Sequence, residues 1–281
     1  MERLEAALEK ARESRRNAQQ ALAAGETPKA DTEAVAQSTL RPEAAALWHR
    51  LKTFKISGLA ARKNRITTLS QSRGSGPYDL MRSRALRLMQ ENGWKTLAIT
   101  SPNASCGKTT VTANLAFSLA RQIDLKILVL DLDLRRPALH KVLSQRPADN
   151  FHDVLEGRIR AEDQLLRFGE NLAFGLNHKA ASKPSELLQS KRAVDKLNML
   201  RDNYEPDLVL IDMPPMLASD DHVGFLPHVD CAMLVSAAES TTMNQLDVCE
   251  KELSELTNVL GVVLNKCRFN EADTDYNADY Y

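Results

Sequence analysis

From Thr96 onward the chain alternates short unbroken apolar runs with longer segments whose apolar residues recur every three or four positions. The runs are TLAIT (96–100), KILVLDLD (126–133), LAFGL (172–176), DLVLID (207–212), CAMLVSA (231–237) and VLGVVLN (259–265). Continuous apolar character over so few residues predicts strands buried on both faces. The intervening segments TTVTANLAFSLARQ (109–122), PSELLQSKRAVDKLNMLRD (184–202) and MNQLDVCEKELSEL (243–256) have helical spacing, as does YDLMRSRALRLMQENG (78–93) ahead of the first strand. Strand and helix in alternation predict an α/β fold, a doubly wound and mostly parallel sheet. Ligands in such sheets bind beyond the carboxyl ends of the strands, so the residues that follow each apolar run carry the chemistry.

The rest of the chain has a different texture. Residues 1–24 are rich in Ala, Glu, Arg and Lys with sparse leucines and predict a solvated helix. Residues 25–75 are polar and broken by Gly and Pro, which predicts largely a linker, part of a partly disordered N-terminal extension, with a short amphipathic piece at AALWHRLKTF (45–54). The expected organisation is an N-terminal helix and basic linker over 1–76, a nucleotide-binding domain over 77–268 and an acidic tail over 269–281.

Charge adds detail to this division. Lys plus Arg and Asp plus Glu balance at 37 each, so the total names no partner. The linker, however, is basic through Arg41, Arg50, Lys52, Lys55, Arg62, Lys63, Arg65 and Arg73, against Glu43 alone between 41 and 75. The last eleven residues, EADTDYNADYY, hold four acids, no base and three of the five tyrosines: Tyr276, Tyr280 and Tyr281. The four cysteines are scattered and fit reduced thiols. With no apolar stretch near the roughly 18–20 residues of a membrane span and a charged start that is no signal peptide, a cytoplasmic protein is expected.

Three strand ends carry candidate chemistry. After the first strand, SPNASCGKTT leads into a helix. Backbone N–H groups of such a loop cradle phosphates, Lys108 supplies a positive charge to the β- and γ-phosphates, and the Thr109 hydroxyl binds Mg²⁺. The full pattern G-x-x-x-x-G-K-[ST] has glycine where this chain has Pro102, so Gly107 is the loop's one glycine. Cys106 stands at a helix N-terminus, which lowers a thiol pKa and makes it a candidate for oxidation. The second strand ends LVLDLDLRRP. Asp131 and Asp133 are two apart and share a face beside the phosphate loop, a costly arrangement without a cation between them. The strand LVLIDMPP ends in Asp212, placed to hold Mg²⁺ through water. ATP and Mg²⁺ are the expected ligands.

SCGKTT, LVLDLDLRRP and LVLIDMPP together resemble the bacterial tyrosine kinases of capsule and exopolysaccharide synthesis (the CpsD/CapB group), which share a P-loop class with the ParA/MinD ATPases. Their three motifs are termed Walker A, A′ and B, and Asp131, Asp133 and Arg135 match the A′ form D-x-D-x-R. KPSELLQS is similar to the family's N-P-S-E-L-L segment, with Lys183 in place of Asn. GVVLNK resembles its last core strand, and the acidic tail resembles its tyrosine cluster. The likeness covers roughly residues 77–281. Ala104, Ser105 and Cys106 replace the family's P-G-E before the Gly-Lys. Its assembly motif E-x-x-R-x-x-R is present only as Asp79 and Arg82, with Ala85 in third place.

The resemblance implies an ATP-dependent protein-tyrosine kinase that regulates exopolysaccharide export by phosphorylating Tyr276, Tyr280 and Tyr281 in trans. Ser105, Cys106, Gly107, Lys108, Thr109 and Thr110 would bind the nucleotide's phosphates and Asn265 its adenine. Thr109, Asp131 and Asp212 would hold Mg²⁺. Lys108, Asp131 and Asp133 would be catalytic, with the two acids orienting or deprotonating the tyrosine. Arg135 and Arg82 are further motif residues, and Asp221 either lines the same site or starts a helix. The implied partners are other copies of the chain, a transmembrane chain-length regulator that recruits it to the inner face of the plasma membrane, and a cytosolic tyrosine phosphatase; no nucleic acid is implied. The other reading is a ParA/MinD-like ATPase switch, which needs no tyrosine tail.

Overall fold

Buried strands need neighbours on both edges and both faces, and five of the six apolar runs obtain them in one eight-stranded sheet; the sixth, 259–265, expected to be buried, is an edge strand that leaves Val262 and Leu264 exposed. The computed structural model describes residues 40–70 and 72–267. In chain order the elements are α1 (Pro42–Arg50), β1 (Lys52–Thr53), α2 (Gly58–Lys63), α3 (Gly76–Asn92), β2 (Thr96–Thr100), α4 (Lys108–Ala120), β3 (Ile127–Asp131), α5 (Leu139–Val142), α6 (Phe151–Leu155), α7 (Ala161–Gln164), β4 (Leu166–Phe168), β5 (Leu172–Gly175), α8 (Pro184–Leu188), α9 (Lys191–Tyr204), β6 (Leu208–Asp212), β7 (Cys231–Ala237), α10 (Met243–Leu256) and β8 (Asn258–Asn265). The strand order is β1-β4-β5-β3-β6-β2-β7-β8. All pairings are parallel except β4 with β5, which form a hairpin around Gly169 at φ 60°.

Alternation along the strands builds two cores. Leu128, Leu130, Val209, Ile211, Ala232 and Leu234 face one side of the sheet. Their neighbours Ile127, Val129, Leu208, Leu210, Cys231 and Met233 face the other. Burying each such aliphatic side chain contributes roughly 1.5–3 kcal/mol. The register also fixes the site: β3 and β6 pair Asp131 with Asp212, and β2 and β6 pair Ile99 with Asp212. Two acids and the start of the phosphate loop are thereby brought to one level.

The helices predicted over 78–93, 109–122, 184–202 and 243–256 form with one change, and the one predicted over 1–24 lies outside the described residues. The stretch 184–202 is two helices, because Ser190 leaves the helical conformation (ψ 139°) and its side chain caps α9 by accepting the Ala193 N–H.

Residues 40–70 correct the expected linker, and the folded unit begins at Leu40 rather than near residue 77. Trp48 and Leu51 lie in the core. The Trp48 indole N–H donates to the Tyr204 carbonyl at 2.7 Å, and its ring meets Tyr204 edge-on. Arg41 of the expected basic linker pairs with Glu205. Further on, Asn114 of α4 accepts from the Thr67 N–H (2.8 Å) and donates to the Arg65 carbonyl (2.9 Å). The segment is thus tied to the helix that carries the phosphate loop. Trp48→Ala should cost roughly 3–5 kcal/mol, as for large aromatic truncations in cores. Urea unfolding checks this; a loss below 1 kcal/mol would return residues 42–51 to the status of an appendage.

Candidate nucleotide site

The phosphate loop runs from Ser101 to Gly107 between β2 and α4. Its backbone turns through left-handed conformations at Ser105 (φ 65°) and Gly107 (φ 96°). The glycine is required twice. Its φ suits glycine, and a Cβ there would lie 2.2 Å from Asn265 Nδ2. That amide donates to the Cys106 carbonyl at 2.9 Å, so Asn265 at the end of β8 clasps the loop from outside. Gly107→Ala forces the loop and Asn265 apart and should weaken ATP binding about tenfold or more, given a strain of roughly 1–3 kcal/mol. Calorimetric titration with Mg·ATP measures it, and unchanged affinity would show the loop to be more pliant than drawn.

Pro102 replaces the expected glycine without opening the loop. Its carbonyl accepts the Leu217 N–H at 3.0 Å, and the Ser101 carbonyl accepts the Met216 N–H at 2.8 Å. The turn after β6 thereby buttresses the loop. Cys106 contributes its backbone, whereas its thiol is buried 3.7 Å from the Thr241 hydroxyl, away from solvent. Thr110 anchors Asn114 through its carbonyl.

Lys108 sits at the centre. The residue is only 7% exposed, and its ammonium donates to Asp133 Oδ2 at 2.7 Å and lies 3.6 Å from Asp212 Oδ1 and 3.5 Å from the Thr109 hydroxyl. Burial alone would lower the lysine's pKa, but Asp212, Asp133 and Asp131 together raise it. The acids strain in the opposite sense. Asp131 and Asp212 are fully buried. Burial pushes Asp131 well up, Asp212 adds to the push, and Lys108 only partly offsets it. Burial also raises Asp212 against the pull of Lys108 and the Thr109 hydroxyl. Asp131 Oδ2 accepts the Leu139 N–H at 3.3 Å, but Asp131 Oδ1 and Asp212 Oδ2 are buried with no hydrogen-bond partner among the described residues.

These orphaned oxygens fit Mg²⁺. Among the described residues no cluster of three His, Cys, Asp or Glu side chains forms a metal cage. Mg²⁺ bound with a nucleotide needs none, since it takes one or two carboxylates plus phosphate and water oxygens. Asp131, Asp212 and the Thr109 hydroxyl are the residues that could hold it.

Arg135 and Asp221 belong together, outside this cluster. Arg135 forms a two-pronged bond to Asp221 at 2.7 and 3.0 Å and donates to the Ser185 hydroxyl at 2.7 Å. Asp221 does not start a helix; it lies in a turn ahead of the short helix Leu226–His228. Burial opposes its charge, but Arg135 and Ser185 bond to it and hold its pKa below the usual carboxylate range. Arg82 is engaged as well, donating to the Ser118 carbonyl at 3.1 Å beside Asp79. Tyr276, Tyr280 and Tyr281 lie outside the described residues.

Two site residues escaped the motif reading. Asn177 donates to the Asp131 carbonyl at 2.7 Å, and Thr112 bonds to the Lys108 carbonyl at 2.9 Å. A lone amide after a strand and a hydroxyl inside a helix carry no spacing signal.

The comparisons agree with this geometry. The CobQ/CobB/MinD/ParA nucleotide-binding domain profile matches residues 97–280, which is most of the chain. The chain belongs to this family. Among relatives of the family member described here, the putative tyrosine-protein kinase AmsA of Erwinia amylovora is 30% identical over 171 residues, covering 60% of this chain and 23% of AmsA. The putative tyrosine-protein kinase EpsB of Ralstonia solanacearum is 30% identical over 197 residues, 68% of this chain and 26% of EpsB. The chain thus spans about a quarter of the length of these relatives. The kinase domain of the Escherichia coli tyrosine kinase ETK superposes with a TM-score of 0.66 over 86% of this chain and 99% of that domain, at 23% identity, and so shares its fold.

Proposed function

We propose that the chain is an ATP-dependent protein-tyrosine kinase domain that phosphorylates the tyrosines of its own C-terminal tail in trans. The observation that carries this reading is the division of labour between the two acids of LDLDLRRP. Asp131 keeps an oxygen free beside Asp212, while Asp133 is paired with Lys108. The names of the relatives support it, and so does the acidic tyrosine tail.

Thr109, Asp131 and Asp212 would hold Mg²⁺, which when bound would supply charge neutralisation to the phosphates, and the loop amides with Lys108 would hold the phosphates. As Lys108 turns to the phosphates it releases Asp133. A free tyrosine has a pKa of about 10, so Asp133 takes the hydroxyl proton as the tyrosine oxygen bonds to the γ-phosphorus and the β–γ bridge breaks to leave ADP. Asn265 stands where loop and base would meet. Exopolysaccharide synthesis is the proposed setting, with a transmembrane regulator as activator and a tyrosine phosphatase as the reset. Among the described residues no helix is long and apolar enough to cross a membrane.

Incubation of the chain with Mg·ATP, followed by mass spectrometry of the tail, tests the reading. Phosphate on Tyr276, Tyr280 or Tyr281 is expected, and none in the Tyr→Phe triple variant. ATP hydrolysis without phosphotyrosine would instead make the chain an ATPase switch.

A further inference from the structure

Two loops leave the carboxyl ends of adjacent strands next to Asp131, and both carry cations. Leu139, whose N–H bonds to Asp131 Oδ2, is followed by His140 and Lys141. Asn177, whose amide bonds to the Asp131 carbonyl, is followed by His178 and Lys179. The loops are braced on each other's supports: Asn150 Oδ1 accepts the N–H groups of His178 (2.9 Å) and Lys179 (3.0 Å), and the Phe151 N–H donates to the Leu176 carbonyl. Arg146 joins from the first loop.

The five groups feel one another. Burial first, then Lys141, His178 and Arg146, hold the His140 pKa down. Burial, Arg146 and Lys179 do the same to His178. Lys141, Arg146 and Lys179 are exposed. The nearby acids do not neutralise them: Asp153 is committed to Arg158 and the Asn150 N–H, which leaves Asp149 as the one further acid between Leu134 and His152. The positive charges of Lys141, Arg146 and Lys179, gathered without counter-charge, attract an anionic partner, with His140 and His178 as neutral polar groups beside them.

Resting on the kinase reading, we infer that His140, Lys141, Arg146, His178 and Lys179 form the surface that selects the acceptor, by binding the acids of a second copy's tail. The arginines that a motif reading would assign to this task are taken, Arg135 by Asp221 and Arg82 by Asp79 and Ser118. The tail fits in charge: Asp275 and Asp279 each precede a tyrosine directly, with Asp273 and Glu271 further upstream. At about 3.3–3.6 Å per residue in extended chain, a tyrosine at Asp133 would set acids one to five positions away roughly 3–18 Å off.

The test pairs a donor without acceptor tyrosines (Tyr276→Phe, Tyr280→Phe, Tyr281→Phe) with a full-length acceptor inactivated by Lys108→Met. Reversing the donor surface (Lys141→Glu, Arg146→Glu, Lys179→Glu) should raise the KM for acceptor about tenfold, since three solvent-exposed pairs are lost. It should leave kcat and the KM for ATP within twofold. An acceptor with Glu271, Asp273, Asp275 and Asp279 replaced by Lys should recover most of the loss with the reversed donor. An unmoved acceptor KM, or no recovery, overturns the inference while the kinase reading stands. If the wild-type donor transfers no phosphate, the kinase reading has failed. Binding of a fluorescent 268–281 peptide to the full chain then decides the surface alone: weaker binding to the reversed variant supports it, and equal binding overturns it.

Discussion

Replacing Lys108 with Met should reduce ATP-dependent phosphate incorporation by roughly 10³-fold or more. Removing a single preorganised donor to developing charge commonly costs 10²–10³ in rate, and Lys108 also contributes to ground-state phosphate binding. Here it is in addition the one ammonium paired with Asp133 and Asp212. Its loss leaves buried carboxylates unpaired, a change that costs about 3–5 kcal/mol when a buried partner is deleted. Its raised pKa means that the lysine's contribution is fully present below the ordinary lysine value of 10.5 and is lost only at higher pH. The variant's instability should therefore show at pH 8 and shrink toward pH 5, where the acids can take up protons. Radiolabel incorporation and thermal melts at both pH values check the two halves. Retained incorporation would remove Lys108 from the mechanism, and equal melting at both pH values would remove the electrostatic account.

Asp131→Asn should separate stability from activity. A carboxyl whose folded pKa lies above 3.8 stabilises the fold below that value and loses the contribution as pH rises through its raised pKa. At neutral pH the native carboxylate is thus a burden on the nucleotide-free fold. An amide keeps an acceptor for the Leu139 N–H and carries no charge. The variant should melt higher than the wild type at pH 7–8 by about 2–4 °C for each kcal/mol relieved, with no gain at pH 4. Phosphoryl transfer should fall by 10² or more, because the group that helps hold Mg²⁺ is gone. Calorimetry across pH and an autophosphorylation time course measure both. A variant that is both less stable and fully active would contradict every role given to Asp131.

Why these acids were visible in advance, and other parts were not, follows from where the signal resides. β2, β3, β5, β6 and β7 are unbroken apolar runs because both faces are covered, and a run of that kind is local; β8 reads the same way in sequence but is a half-exposed edge strand. Lys108, Asp131, Asp133 and Asp212 stand at the carboxyl ends of β-strands or open the helix after one, so topology alone brought them together. β1 has two polar residues, and the three-residue β4 takes shape only between β1 and β5. Trp48 and Leu51 are isolated among charged neighbours, and their burial depends on α9, some 150 residues on. Asn265 was assigned to the base from family likeness, whereas its grip on the loop through the Cys106 carbonyl has no local signal. His140 and His178 acquire meaning only when the ends of β3 and β5 are side by side.

The described residues begin and end at opposite poles of the sheet. Arg41 is fastened to Asp202 and Glu205, just ahead of β6, whereas Asn265 ends β8 against the phosphate loop. Engineering at the two ends is therefore unequal. A fusion or surface tether placed before Leu40 is held at the rear and leaves the nucleotide mouth clear, while anything appended after Cys267 starts beside it.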